Sequence, residues 1–222
     1  MLTDVYIGIL SPMWAHVNMG AHPMRKRRDS YHHGDLRRAI LDAALEIVTE
    51  QGGAAAVTLR EAARRVGVSH NAPYRHFEDR GAILAALAEE GFTALARALR
   101  EARADVTDAE ERFVATGLAY LAFTRARPGH VGVMFAPELV KGRTRALQAA
   151  ANDAFQVLKE LALDAGVGDP AEARRLGTIV WAFLHGLAGL AARKQIPPSV
   201  GAAPDELAAL GLRRLFRSFA RG

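Results

Sequence analysis

The 222-residue chain contains no cysteine. That excludes disulfides, thiolate nucleophiles and cysteine-based metal sites, and it agrees with a reducing cytoplasm. Aromatic residues are sparse, at 7% with two Trp. No segment sustains the apolar–polar alternation of a strand. The sequence also lacks G-x-S-x-G, a phosphate-loop glycine pattern, His-Glu-x-x-His, and a glycine-rich turn opening a helix after a strand. The common hydrolase, nucleotide-binding, zinc-protease and dehydrogenase classes lose their signatures with them, so a non-enzyme without a cofactor is expected. The longest apolar run, 179–192, contains His185 and falls short of the roughly 20 residues a bilayer requires; it reads as a buried helix. The first 23 residues have no basic start and only a very short apolar core, unlike a signal peptide. Met1, Met13, Met19 and Met24 crowd the beginning. Translation is therefore expected to begin at Met24, and residues 1–33 read as a disordered or spurious extension carrying a basic arm.

What is present is apolar and basic. Half of the residues are hydrophobic and the net charge is +5, so a core is affordable and an acidic partner is plausible. Arg25, Lys26, Arg27 and Arg28 form one run. It is either a solvated tail or an arm that gains DNA affinity by counterion release. His32 and His33 are adjacent, and neighbouring histidines seldom share a metal without further ligands, so no metal site is expected.

From residue 35 onward the chain reads as helix after helix. Leu36, Ile40, Ala43, Ala44 and Ile47 share one helical face, with Asp35 as N-cap and Gly52-Gly53 as stop. Thr58 and Glu61 form a capping box for a short helix whose apolar face is Leu59, Ala62, Ala63 and Val66, ending at Gly67. Ser69 is placed to cap the next helix, and Asp79 starts a long one reaching about Asp105. Thr107 with Glu110 makes another capping box. Asp169, Pro170 and Glu172 open a later helix, and Pro204 with Asp205 and Glu206 the last. The expected class is all-α, with "KQIPPSVGAAP" (194–204) the clearest loop.

Two short helices around a glycine turn, "TLREAARRVGVSHNAPYRHF", make a helix-turn-helix. The second helix of such a unit enters the major groove. Val68 and Phe77 fit its packing side; His70, Asn71, Tyr74, Arg75 and His76 lie on or near the presented side. Asn can pair with adenine and Arg with guanine or phosphate. Ser69 is a cap first, and its hydroxyl can also reach a phosphate. Pro73 falls early in this helix and removes a backbone donor, so the first turn is expected to be loosened.

The segment from about Tyr31 to Gly91 resembles the tetracycline-repressor (TetR) family of bacterial transcription regulators. "AILDAALEIVTEQG", "TLREAARRVGVS" and "YRHFEDRGAILAAL" are similar to its three-helix head and the start of its fourth helix. Family members usually carry Leu or Ile at Pro73 and Lys at Arg80, the latter a cation for phosphate. The resemblance implies a DNA-binding head over residues 34–94, with Thr58, Arg60, Ser69, His70, Asn71, Tyr74, Arg75, His76 and Arg80 toward DNA. It also implies a helical effector-binding and dimerisation domain over 95–222. "YHHGDLR" and "IVWAFLHGLAGL" are similar to a subgroup marked by Trp-x-x-x-His-Gly, here Trp181, His185 and Gly186.

Trp181 and His185 are neighbours on one helix face. They are either core or the wall of an effector pocket; Phe113, Tyr120, Phe123, Met134 and Phe155 are further candidates for its lining. Charges are sparse there, which favours an uncharged or hydrophobic effector. Ala182, Gly186 and Gly189 form a small-residue stripe, either an intrachain contact or a dimer seam. In the family the last two helices build a four-helix bundle between subunits, which adds Leu215 and Phe219 to the seam. Arg213, Arg214 and Arg217 read as a solvated flank rather than a second DNA site. The resemblance thus implies a cytoplasmic, nucleoid-associated homodimeric repressor that binds a palindromic duplex operator and is released by a small molecule. The alternatives are a ligand-independent architectural nucleic-acid binder and, further off, an all-helical enzyme.

Overall fold

The computed structural model describes residues 36–140 and 144–220. The basic run 25–28, His32, His33 and the Asp35 cap lie outside the described residues. Those described hold helices and turns without a strand: α1 (Leu36–Gln51), α2 (Leu59–Val66), α3 (Arg80–Arg103), α4 (Ala109–Ala126), α5 (Pro128–Met134), α6 (Arg145–Asp164), α7 (Pro170–Ala192) and α8 (Pro204–Phe219). Short 3-10 turns occupy Ala54–Ala56, Ala72–Arg75, Pro137–Val140 and Pro198–Val200.

The described chain forms two compact units. The first combines residues 36–87 with 129–140, so α5 and the turn after it join the head instead of the region expected for the effector domain. Its core joins Ile40, Leu41, Ala44 and Ile47 of α1 to Leu59, Ala62 and Ala63 of α2 and to Phe77, Ile83 and Leu84, all buried. The second combines 88–128 with 144–220. There α4 packs on α8, α7 and α6, α6 packs on α7, and α7 packs on α8. Phe113, Leu121, Leu161, Leu176 and Leu184 are fully buried in it. Helix α3 belongs to both units by continuity of the chain; at about 1.5 Å per residue it is roughly 36 Å long.

Most starts follow the expected chemistry, with three differences. Thr58 accepts the Glu61 amide at 3.1 Å, but the Glu61 carboxylate turns to Arg64 (2.7 and 2.6 Å) and Arg65 (3.2 Å), so only half of the capping box is made. The cap of α4 is Asp108, whose carboxylate accepts the Glu111 amide at 2.8 Å, one residue beyond the expected Thr107. A carboxylate at that position also favours the positive end of the helix dipole. The third difference is the segment after Gly67, described below. Asp169 caps α7 as expected, accepting the Glu172 amide at 2.7 Å behind Pro170. The Glu206 carboxylate at the start of α8 accepts the Ala203 amide at 2.8 Å.

Helix α7 is long and apolar enough to cross a membrane by length and composition, because the helix begins at Pro170, before the apolar run 179–192. It packs on α4, α6 and α8 as a core helix does. Yet only 33% of its most apolar window is buried within the chain.

Candidate DNA interface and effector site

In the head, α2 ends at Gly67, whose φ of +79° is the left-handed conformation that glycine adopts without a side-chain clash. The Gly67 and Val68 amides both close on Ala63 O at 3.0 Å, turning the chain sharply. The expected second helix is not a regular α-helix. It is a 3-10 turn, Ala72–Arg75, with Asn71 at its cap and no side-chain cap bond. Ser69 works through its backbone, its carbonyl accepting the Ala72 amide at 3.0 Å. Pro73 explains the change: with no N–H it cannot close a helical bond backward, while its carbonyl accepts from both His76 (2.9 Å) and Phe77 (3.0 Å). Pro73 is buried with Phe77 beneath the turn and so fills an apolar position.

This base lifts a polar surface into solvent. Ser69, His70, Asn71, Tyr74, Arg75 and His76 are exposed, as are Thr58 and Arg60 on the first turns of α2. Tyr74 is 58% exposed, unusual for a ring that could have packed inward. Arg75 makes no ion pair with a described residue, whereas Arg65 is tied to Glu50 at 2.6 Å and to Glu61 at 3.2 Å, locking α2 to α1. Contacts with Arg64, and then with Arg65, hold the Glu61 carboxyl down to about 2. Arg37 lies over the Phe77 ring at 5.3 Å. Arg80 is half-buried, with Nη2 donating to Ala54 O at 2.7 Å and to Glu138 Oε1 at 3.2 Å.

The second unit gathers four of the candidate effector residues. The Tyr120 hydroxyl and His185 Nδ1 are 2.8 Å apart. Trp181 lies 5.8 Å from the His185 ring, and Phe155 meets Trp181 edge-on at 5.5 Å. Burial pushes the Tyr120 phenol far above its ordinary value, with the Trp181 indole opposing, and burial pushes His185 down. Both groups are therefore neutral near pH 7. When Tyr120 donates, the imidazole proton sits on Nε2. Three other candidates are buried. Met134 is buried in α5, in the first unit; Phe113 packs edge-on against Phe216 of α8 at 5.5 Å; Phe123 is buried on α4.

The small-residue stripe on α7 divides. Gly189 is buried within the chain, while Ala182 and Gly186 are exposed, and a Cβ on Gly186 would meet open space. Ile179 (44% exposed) and Leu190 (42%) extend that exposed face. Leu215 and Phe219 on α8 are half-buried. The flank of α8 is not simply solvated. Arg213 pairs with Glu111 at 2.5 Å and Arg217 with Glu110 at 2.8 Å, clamping α8 to α4; Arg214 is exposed. Sequence reasoning also missed a half-buried charge cluster, because its members lie far apart in the chain. Asp164, with 7% of its side chain exposed, is shared by Arg103 at 2.5 Å and Arg112 at 2.8 Å.

Comparison with known proteins resolves the class. Residues 40–87 match the bacterial regulatory proteins of the tetR family, and 113–215 match the tetracyclin repressor-like C-terminal domain. A solved structure of a protein of unknown function from Rhodococcus sp. RHA1 is 33% identical, over 85% of this chain and 97% of that one, with a TM-score of 0.70. The chain belongs to the TetR family.

As a TetR-family protein it is a DNA-binding transcription regulator, with a helix-turn-helix head and a helical C-terminal domain. The nucleoid occlusion factor SlmA of Vibrio campbellii is 28% identical over 157 residues, covering 68% of this chain and 80% of that protein. The regulator FadR of Bacillus subtilis, solved in complex with stearoyl-CoA, shares the fold at 14% identity and a TM-score of 0.62, over 81% of this chain and 97% of that one.

Proposed function

We propose that this TetR-family regulator is a cytoplasmic repressor that binds a palindromic operator as a homodimer and leaves it when a small, uncharged or hydrophobic effector binds. The observation that carries the DNA reading is the surface at 69–76, where a ring, an amide, two imidazoles and a guanidinium stand in solvent above buried Pro73 and Phe77. Groups left unpaired on a rigid base suit phosphates and base edges. Thr58, Arg60, Ser69, His70, Asn71, Tyr74, Arg75 and His76 form the proposed contact set, with Arg80 at its edge.

The dimer reading rests on α7. An apolar helix only one-third buried in its most apolar stretch, with Ile179, Ala182, Gly186 and Leu190 on one exposed face, gains stability when a second copy covers that face. Two heads would then reach successive major grooves about 34–36 Å apart. The effector reading rests on the neutral Tyr120–His185 pair beside Trp181 and Phe155, which offers rings and a neutral hydrogen-bonding group rather than a charge. Solution of the Bacillus subtilis FadR with stearoyl-CoA supports an effector with a long apolar part. The likeness to a nucleoid occlusion factor supports a second reading, in which occupancy of DNA is itself the output and no effector is needed.

Selection from random duplexes with the purified full chain tests the first reading. The expected product is an inverted repeat with half-sites one helical turn apart, bound by two chains; recovery of no preferred sequence overturns it. Addition of uncharged apolar compounds, and separately of long-chain acyl-CoAs, whose apolar chain carries a charged head, to the bound complex separates the two readings, since release by any of them requires an effector site.

A further inference from the structure

The residue that sits at the edge of the proposed DNA surface, Arg80, is held by an acid from a distant part of the sequence. Arg80 is the first residue of α3, just after Asp79, whose carboxylate accepts the Ala82 amide at 2.8 Å. Its guanidinium Nη2 donates to two oxygens of different kinds. One is the neutral Ala54 carbonyl in the turn before α2, at 2.7 Å. The other is the Glu138 carboxylate, at 3.2 Å, in the turn after α5. The Arg80 and Glu138 side chains remain 34% and 33% exposed, so solvent reaches both, while the Arg80 Nε is buried.

The two partners differ in what DNA can replace. The Ala54 carbonyl is part of the head's own backbone and stays with it. The carboxylate is an anion with the same hydrogen-bonding capacity as a phosphate oxygen, so a phosphate can substitute for it at the guanidinium with charge conserved. While Glu138 remains, it neutralises Arg80 and also repels any phosphate brought close.

Glu138 is carried on a segment seated directly on the head. A Cβ added to Gly129 of α5 would lie 2.4 Å from Thr49 Oγ1 and 2.9 Å from Leu45 Cδ1 of α1; only glycine permits that approach. In sequence the same segment is bracketed by α4 and α6, the helices of the other unit that carry Tyr120 and Phe155.

We propose that Glu138 is a positioning residue for DNA binding: it competes with the DNA backbone for Arg80 and so lowers operator affinity while paired. The proposal rests on the reading that the head binds DNA. It assigns an affinity-setting role to an acid outside the helix-turn-helix, on the one described segment between α4 and α6.

The experiment is operator binding by fluorescence anisotropy over a series of KCl concentrations, with the wild-type chain, Glu138→Gln, Glu138→Ala, Arg80→Gln and the Arg80→Gln/Glu138→Gln double variant, each with a melting curve. Both Glu138 variants are expected to bind operator and random duplex about threefold to fivefold more tightly at 0.1 M salt, the range of an exposed ion pair. Their salt slope should steepen by about one, as one more phosphate contact is made. The gain should vanish in the Arg80→Gln background. Equal or weaker binding by both folded Glu138 variants overturns the proposal, and an undiminished gain without Arg80 does so too, because the acid would then act only by general repulsion. A wild-type chain that binds no duplex at all removes the DNA reading itself, a result the variants cannot mimic.

Discussion

The two units of this regulator treat similar side chains in opposite ways. In the head, Tyr74 is 58% exposed and Arg75 makes no ion pair with a described residue. In the second unit, Tyr120 is 4% exposed with its hydroxyl on His185, and Arg103, Arg112, Arg213 and Arg217 are each bound to carboxylates. The difference is one of partner. A ring or cation used for packing is satisfied inside the chain, since burial without a partner costs about 1–3 kcal/mol. A ring or cation held out above a rigid base is available to something outside. Helix α7 stands between the two cases: its His185 is met by Tyr120, but part of its apolar surface, including Ile179 and Leu190, is left exposed.

That contrast can be broken most forcefully at α7. Ile179→Asp combined with Leu190→Asp should convert the proposed dimer to monomer without unfolding it, because both side chains are exposed in the single chain. Covering the exposed part of one such side chain is worth about 1 kcal/mol, and a two-fold interface counts each position twice. Sedimentation should show the shift at micromolar concentration, and operator affinity should fall with it. An unchanged dimer would move the seam off this face. Gly189→Trp, by contrast, should lower the melting temperature first, since Gly189 is already buried within the chain.

The head is next in size. Tyr74→Ala or Arg75→Ala should each weaken operator binding by about 1–3 kcal/mol while the melting temperature stays within a degree or two. Arg75→Ala should also flatten the salt dependence if the guanidinium meets a phosphate. Wild-type affinity in both variants would mean that the exposed turn does not face DNA.

A third test sharpens the meaning of the Tyr120–His185 pair. His185→Ala should alter effector-triggered release more than effector-free operator affinity, because a ligand shifts an equilibrium only by its differential affinity for two states. Lower stability with a normal response would reduce Trp181 and His185 to packing. The same histidine sets a pH dependence. Burial depresses its folded pKa below the ordinary 6.5, so the unfolded chain takes up the proton first. Stability is then fully present above about 6.5 and declines as pH falls below that value. The decline between pH 7 and 5.5, read from melting curves, should be shallower in His185→Gln.

The smallest effect is at Glu61. Its carboxyl is held at about 2 by Arg64 and Arg65, against an ordinary 4.5. Its contribution to stability is present above about 4.5 and is lost as pH falls through about 2. Carboxyl titration by NMR should place it there in the wild type and nearer 4.5 in Arg64→Ala/Arg65→Ala; an ordinary value in the wild type would show that solvent screens the pairs.

Local chemistry was legible in the sequence wherever one residue's side chain answers its neighbour's backbone. The Thr58 and Asp169 caps, the Gly67 stop, the start of α3 at Asp79 and the apolar face of α1 all follow from spacing, because the interacting groups are within four residues of each other. The all-helical class and the helix-turn-helix order follow in turn. Tertiary structure decided what depends on distant neighbours. It made Pro73 a core residue in a 3-10 turn, placed α5 on the head, and turned Arg213 and Arg217 into ties to α4. It also divided Ala182 and Gly186 from Gly189, residues that look alike in sequence. The reason is geometric: periodicity says which residues share a face of a helix, but only the packing of the other helices determines which part of that face is covered and which is left for a partner.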